Sequence, residues 1–218
     1  MALCIVVGFG TGVGFGIARA FGKAGYTLGL IARSPDKYAD AVKSLTDAGV
    51  TCEIVAADAS NEESLAGAIA SLLQTLGTPE VLVYNVVSGS YGKPTALDAQ
   101  QMTQDFKSNV VGALVAAKAV LPAMQAQSQG SILFTGGGWA HYPWDGAASI
   151  SIGKAGIRSL AMTLSQELQD TPIRIGILSI MGQVAVGSAF DPEKIGEAFL
   201  AMHKQPVEGY EPEFMFKG

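Results

Sequence analysis

An apolar run, Leu3-Cys4-Ile5-Val6-Val7, passes without a linker into Gly8-Phe9-Gly10-Thr11-Gly12-Val13-Gly14. This junction limits the possible folds more than any other segment. A short run of branched apolar residues reads as a strand buried on both faces. Glycines just beyond it let the backbone turn tightly and approach a ligand closely. Gly12 to Lys23 then reads as a helix, with Ile17, Ala20, Phe21 and the following Ala24 at the spacing of one helical face. Strand, glycine turn and helix in that order open a βαβ unit. The unpaired N–H groups and positive dipole end of such a helix favour an anion such as a pyrophosphate. A glycine-rich turn with no ligand is the alternative.

The same alternation continues along the chain. Further strands are predicted at Thr27–Ala32, Thr51–Ala57, Val81–Tyr84, Ser131–Thr135 and Ile173–Ile180, with Glu213–Phe216 as a seventh. Between them, helices are predicted over Pro35–Ala48, from Asn61 onward, over Asp98–Met124, Ala147–Leu168 and Pro192–His203. Asn61 suits an N-cap, with Glu62 and Glu63 complementing the dipole in the first turn. Pro122 should end the long helix or close its last turn. Strands alternating with helices imply an α/β, Rossmann-type doubly wound parallel sheet of six or seven strands flanked by helices. No linker, repeat or low-complexity segment interrupts the pattern, so residues 1–218 read as one domain.

Composition narrows the function. Only 15% of residues are charged and 49% are apolar, which implies extensive burial in a core or an oligomer interface. A net charge of -5 argues against a nucleic-acid partner. Cys4 and Cys52 fall near the starts of different predicted strands, as free thiols in a reducing compartment. Met1–Val7 is too short and lacks the basic flank of a signal peptide, and no run of 18 apolar residues predicts a membrane span. A cytoplasmic location is expected, and no metal site is read.

The glycine pattern Gly8-x-x-x-Gly12-x-Gly14, with Val7 before it and Ile17-Ala18-Arg19-Ala20-Phe21-Gly22-Lys23-Ala24-Gly25 after it, resembles the fingerprint of short-chain dehydrogenases/reductases. The likeness covers essentially the whole chain. It implies a nicotinamide cofactor held by Gly8, Thr11, Gly12, Val13 and Gly14. The second strand ends Ala32-Arg33-Ser34, with no acidic residue where NAD-binding folds select the ribose hydroxyls. Arg33 can pair bidentately with a 2′-phosphate and Ser34 can donate to it, so NADP(H) is preferred over NAD(H). A solvated surface arginine is the alternative. Asp58 and Ala59 resemble the family's adenine-contacting segment, although Asp58 also suits a turn or N-cap. Tyr84-Asn85-Val86-Val87 lies where the family has Asn-Asn-Ala-Gly and keeps only Asn85. The resemblance implies that Asn85, Val86 and the backbone of Val184 line the cofactor.

The catalytic residues depart from the family pattern. The family uses a Tyr as acid/base, a Lys four residues later, a Ser, and an Asn on the long helix. Ile150-Ser151-Ile152-Gly153-Lys154 aligns with that Tyr-to-Lys segment, so Lys154 is kept but Ile150 stands at the Tyr position. An isoleucine cannot exchange a proton. Gly136-Gly137-Gly138 offers no hydroxyl where the Ser is expected, and Asn109 matches the family's Asn. Lys154 can still bind ribose hydroxyls. His141 and Tyr142, in Trp139-Ala140-His141-Tyr142-Pro143-Trp144, are candidate substitute acids. The alternative is a loop whose aromatics pack on neighbours or on a second subunit.

The stretch between Gly182 and Asp191 is too short for the helical lid common in the family. The two long helices are rich in small apolar residues, which in the family pair across a two-fold axis, so a homodimer or homotetramer is expected. Two functions remain open: an NADP(H)-dependent oxidoreductase acting on a small carbonyl or alcohol with an unusual catalytic set, or a catalytically inactive NADP(H)-binding sensor, regulator or scaffold.

Overall fold

The computed structural model describes residues 2–218; Met1, the first residue of the apolar amino-terminal segment, lies outside them. Strands β1 (Leu3–Val7), β2 (Thr27–Ala32), β3 (Cys52–Ala56), β4 (Pro79–Tyr84), β5 (Gly130–Gly137), β6 (Ile173–Ile180) and β7 (Glu213–Phe216) form one sheet in the order β3-β2-β1-β4-β5-β6-β7. Every pairing is parallel. The order reverses between β1 and β4, which opens a crevice at the carboxyl ends of these two strands.

The period-two geometry of a strand explains why β1 is apolar throughout. Leu3, Ile5 and Val7 enter the core layer on one face; Cys4 and Val6 enter the layer on the other. The first face is covered by α3 (Glu62–Leu76), α5 (Gly112–Ala126) and α6 (Ala148–Glu167) through Leu65, Ile69, Ala116, Val120 and Ile157. The second is covered by α1 (Val13–Lys23), α2 (Ala39–Asp47) and α7 (Pro192–Lys204) through Ile17, Phe21, Leu45 and Phe199. Ile5, Leu28 and Phe21 are fully buried, each worth roughly 1.5–3 kcal/mol of transfer free energy.

The departures from the sequence expectation are local. Pro35–Tyr38 is a 3-10 turn before α2, because Pro35 starts a tight turn straight off β2. The helix predicted over Asp98–Met124 is built from α4 (Ala99–Phe106), a π-turn at Lys107–Val111, and α5. Pro122 is accommodated inside α5, which continues to Ala126. By length and composition alone this 28-residue stretch is long and apolar enough to cross a membrane. Its Ala113, Ala116, Ala117, Val120 and Met124 face is instead buried on the sheet. β5 also runs two residues further than predicted, to Gly137.

The caps agree with the sequence. Asn61 accepts a hydrogen bond from the Ser64 N–H at the start of α3, and Asp191 accepts one from the Glu193 N–H at the start of α7. Cys4 is buried, Cys52 is half-buried on the edge strand β3, and both are free thiols. At the amino-terminal end of the sheet, His203 is held in a buried polar cluster. Its Nδ1 lies 2.9 Å from Ser131 Oγ, and its Nε2 lies 2.8 Å from the Tyr26 hydroxyl and 3.1 Å from Glu80 Oε1. Ser131 is fully buried, and its hydroxyl is satisfied within this cluster.

Candidate functional site

A cavity of about 580 Å³ lies at the switch between β1 and β4, within the usual range for small-molecule sites. Its floor is Gly8, Gly10, Gly12, Val13 and Gly14, the turn between β1 and α1. Gly8 has φ +85°, and a Cβ there would lie 2.8 Å from the Asn85 carbonyl carbon; a side chain would be both strained and crowded. Gly12 is the N-cap of α1 and no side chain caps the helix. The Phe15 N–H donates to the Gly12 carbonyl, while Val13 and Gly14, whose amides have no side-chain cap, line the cavity, as an anion site at a helix N-terminus requires.

The walls bring together most of the residues singled out from sequence. Arg33 and Ser34 form one side, Asp58 and Ala59 another, and Asn85 and Val86 the far edge. Arg33 is exposed at this wall. Asp58 accepts from the Ser60 N–H at 2.9 Å and from the Ser60 hydroxyl at 2.8 Å. These bonds hold its carboxyl below the usual range against the opposing effect of burial, and Arg33 adds to the lowering. Asp58 is thus an anion whose first duty is to shape its own turn.

Other lining residues carry no site signature in the sequence. Lys37 and Tyr38 belong to the turn that Pro35 starts, which carries them back over the cavity. Tyr38 packs edge-on against Phe9, with ring centroids 5.8 Å apart. The proline was a visible sign of an early turn, but the sequence pattern alone reads Lys37 as an ordinary helical residue. Val87, Ser88 and Ser108 complete the wall.

Thr11, Lys154, Asn109, His141, Tyr142 and Val184 do not line this cavity. Lys154 is connected to it by a chain of hydrogen bonds. Its ammonium donates to the Thr135 carbonyl at 2.8 Å, the Thr135 hydroxyl donates to Asn85 Oδ1 at 2.9 Å, and Asn85 Nδ2 donates to the Gly8 carbonyl at 3.1 Å. Burial lowers the Lys154 pKa to about 8. Asn109 sits in the π-turn, buried, where its side chain accepts from the Ser88 N–H and donates to the Ser88 carbonyl. It anchors the β4–α4 loop, and Gly153 of α6 leaves it the space to do so.

His141 Nε2 lies 3.0 Å from Glu213 Oε1. Glu213 also accepts two hydrogen bonds from Arg158, which hold its carboxyl below the usual range against the effect of burial. His141 is therefore drawn to β7. Tyr142 is 74% exposed. Ile150 is buried and packs against Gly89. The loop from Met181 to Phe190 contains no helix, and Val184 within it is 38% exposed.

A buried carboxylate lies behind this wall. Asp105 accepts hydrogen bonds from Ser88 Oγ at 2.8 Å, Gln101 Nε2 at 3.0 Å and Ser149 Oγ at 2.5 Å. Burial alone would raise its pKa; the donated hydrogen bonds more than offset this and hold it below the usual value. Asp105 ties α4, α6 and the β4–α4 loop together, an arrangement no spacing rule reveals.

The topology and the cavity define a doubly wound α/β protein with its site at the strand-order switch. The chain belongs to the short-chain dehydrogenase family, whose model matches residues 2–184. It is 25% identical over 213 residues to an uncharacterised oxidoreductase of Staphylococcus aureus (strain N315), covering 94% of this chain and 91% of that one. A metagenomic short-chain oxidoreductase solved in complex with NADP superposes with a TM-score of 0.90 at 24% identity, covering 98% of this chain and 96% of that one. An alcohol dehydrogenase from the archaeon Thermococcus sibiricus, complexed with 5-hydroxy-NADP, superposes with a TM-score of 0.87 at 24% identity, covering 99% and 95%.

Proposed function

We propose that the protein is an NADP(H)-dependent oxidoreductase acting on a small carbonyl or alcohol, with a catalytic set that lacks the family's Tyr and Ser. The observation that carries this reading is the continuous cavity wall from the uncapped α1 terminus to Arg33, Ser34 and Lys37. Bare backbone amides suit a pyrophosphate. Two cations and a hydroxyl beyond β2, with the nearby Asp58 carboxylate engaged by its own Ser60 turn, suit an additional phosphate on the ribose. The bound forms of the metagenomic oxidoreductase and the archaeal alcohol dehydrogenase are consistent with that preference.

When bound, the cofactor supplies or accepts a hydride. The remaining work falls to the chain. Gly8, Gly10, Gly12, Val13 and Gly14 would hold the paired phosphates, and Arg33, Ser34 and Lys37 would hold the third. Asn85 fixes the loop beside which the nicotinamide half would lie, and Lys154, joined to that loop through Thr135, would reach its ribose and carries a proton whose pKa burial lowers to about 8. Ile150 fills the usual acid's position without a titratable group. The open loop after β6 favours a second reading, a cofactor-binding protein that does not turn over, because water is poorly excluded there.

Single-turnover mixing of protein-bound NADPH with a panel of carbonyl compounds separates the two. Oxidation of the nicotinamide with at least one compound supports the enzyme. Tight NADPH binding with none oxidised supports the sensor. A homodimer is also proposed, built on the half-exposed Phe106 and Leu114 of the long helix and Ile152 of α6.

A further inference from the structure

The β4–α4 loop puts a serine on the cavity wall whose hydroxyl proton is already committed. Ser88 lines the cavity. Asn109 clamps its backbone, accepting from the Ser88 N–H at 2.8 Å and donating to the Ser88 carbonyl at 2.6 Å. The Ser88 hydroxyl donates to Asp105 Oδ1 at 2.8 Å. Asp105 is 1% exposed, and it also accepts from Gln101 Nε2 on Oδ1 and from Ser149 Oγ on Oδ2. Burial acts to raise its pKa, but these bonds hold it below the usual value. An ionised carboxylate only accepts, so the direction of the Ser88 bond is fixed.

A serine hydroxyl has one proton and two lone pairs. With the proton held by Asp105, Ser88 can only accept from a ligand. Among the described residues no group donates to Ser88 Oγ, so its lone pairs are left for the cavity. Lys154 has the opposite polarity. An ammonium has donors and no acceptor, so Lys154 can serve the oxygens of a sugar diol but not its protons. A hydroxyl proton taken out of water without an acceptor forfeits its full hydration.

The neighbouring side chains cannot supply that acceptor. Ile150, one turn before Lys154 on α6, is carbon only and packs against Gly89, the residue after Ser88. Asn85 Oδ1 already accepts from the Thr135 hydroxyl. The walls also decide which sugar is concerned. Arg33, Ser34 and Lys37 stand where the third phosphate, on the first ribose, would be held. The loop from Asn85 to Ser88 borders the glycine floor at the far edge, where Asn85 Nδ2 donates to the Gly8 carbonyl. In a dinucleotide, the group joined to the paired phosphates on that side is the second ribose.

We propose that Ser88 accepts a hydrogen bond from a hydroxyl of the nicotinamide-side ribose, with Asp105 as the positioning residue that fixes its proton. This rests on the reading of the cavity as an NADP(H) site. Ser88 and Lys154 then divide the same sugar between them, one taking a hydroxyl proton and the other giving to a hydroxyl oxygen. The pair recognises a diol, and a ligand that ends before the second ribose gains nothing from Ser88.

Calorimetric titration with three ligands tests this. NADPH carries both riboses, 2′-phospho-ADP-ribose carries both without the nicotinamide, and 2′,5′-ADP carries only the first. Ser88→Ala should weaken the first two roughly 3–10-fold, the range for one neutral hydrogen bond, and leave 2′,5′-ADP within about twofold. Ser88→Thr should bind the first two more tightly than Ser88→Val, which has the same outline without the hydroxyl. Asp105→Asn, whose carbonyl still accepts from Ser88, should bind them more tightly than Asp105→Ala. Thermal melting identifies the folded variants, and the Thr and Val pair carries the test if Ser88→Ala is not among them. Equal weakening of all three ligands, equal binding by the Thr and Val variants, or unchanged NADPH affinity in Ser88→Ala would overturn this proposal alone. Absence of NADPH binding to the wild-type protein would overturn the cofactor reading and this proposal with it.

Discussion

Lys154 allows a prediction whose sign is unusual. Its ammonium is buried, has no carboxylate beside it, and donates one hydrogen bond, to the Thr135 carbonyl. Burial lowers its pKa from 10.5 to about 8. The folded state therefore holds this proton less tightly than the unfolded chain does. The stability contributed by this group is fully present above the unfolded value of 10.5, is lost as pH falls through about 8, and is absent at neutral pH. At 1.36 kcal/mol per tenfold change in proton affinity, the largest possible penalty at pH 7 is roughly 3 kcal/mol. Lys154→Met removes that penalty and leaves the Thr135 carbonyl without its donor, which costs about 1 kcal/mol or somewhat more. The variant without ligand should be more stable than wild type at pH 7 by about 1–2 kcal/mol. The advantage should shrink between pH 8 and 10. Urea unfolding at pH 7 and 9.5 measures both quantities. Destabilisation of the variant by more than 1 kcal/mol at pH 7, or an unchanged difference at pH 9.5, would refute the reasoning. The same variant should bind NADPH more weakly, the expected exchange of stability for function at a site.

Three other consequences follow from the geometry. Arg33→Ala should raise the NADPH Kd by roughly 10–100-fold, the cost of one or two charge-assisted hydrogen bonds, and leave NADH affinity within about twofold; fluorescence titration distinguishes them. His203 has its pKa lowered chiefly by burial, with Arg174 adding to this and Glu80 opposing it. Stability should therefore fall as the pH drops below the ordinary histidine value of ~6.5, and His203→Gln should flatten that dependence in denaturation curves at pH 7 and 5. Leu114→Glu combined with Ile152→Glu should convert the proposed dimer to monomer by light scattering, while an unchanged mass would place the interface elsewhere.

The sheet was readable because its central strands are buried on both faces and are bounded by turn residues. Leu3–Val7, Thr27–Ala32 and Ile173–Ile180 have the bounds that apolar runs and turn residues suggest. The glycine floor and the Arg33-Ser34 wall were readable for the same reason: each follows directly from a strand end. What was not readable depends on residues far apart in the chain. His141 looks like a free acid until Glu213 of β7 reaches it. Asn109 looks like a helix-interior polar residue until the π-turn and the Ser88 backbone claim it. Asp105 gains its donors from Ser88, Gln101 and Ser149, only one of them at helical spacing. Local patterns carry the scaffold; long-range contacts decide which polar groups remain free for chemistry.

The central claim is that the glycine floor and the cationic wall together select a dinucleotide bearing a third phosphate. Calorimetric titration of the wild-type protein with NADPH and with NADH, at one ionic strength, tests it most directly. NADPH should bind at a single site per chain and at least tenfold more tightly than NADH. Equal affinities would remove the role given to Arg33, Ser34 and Lys37, and no binding heat with either nucleotide at millimolar concentration would contradict the account as a whole.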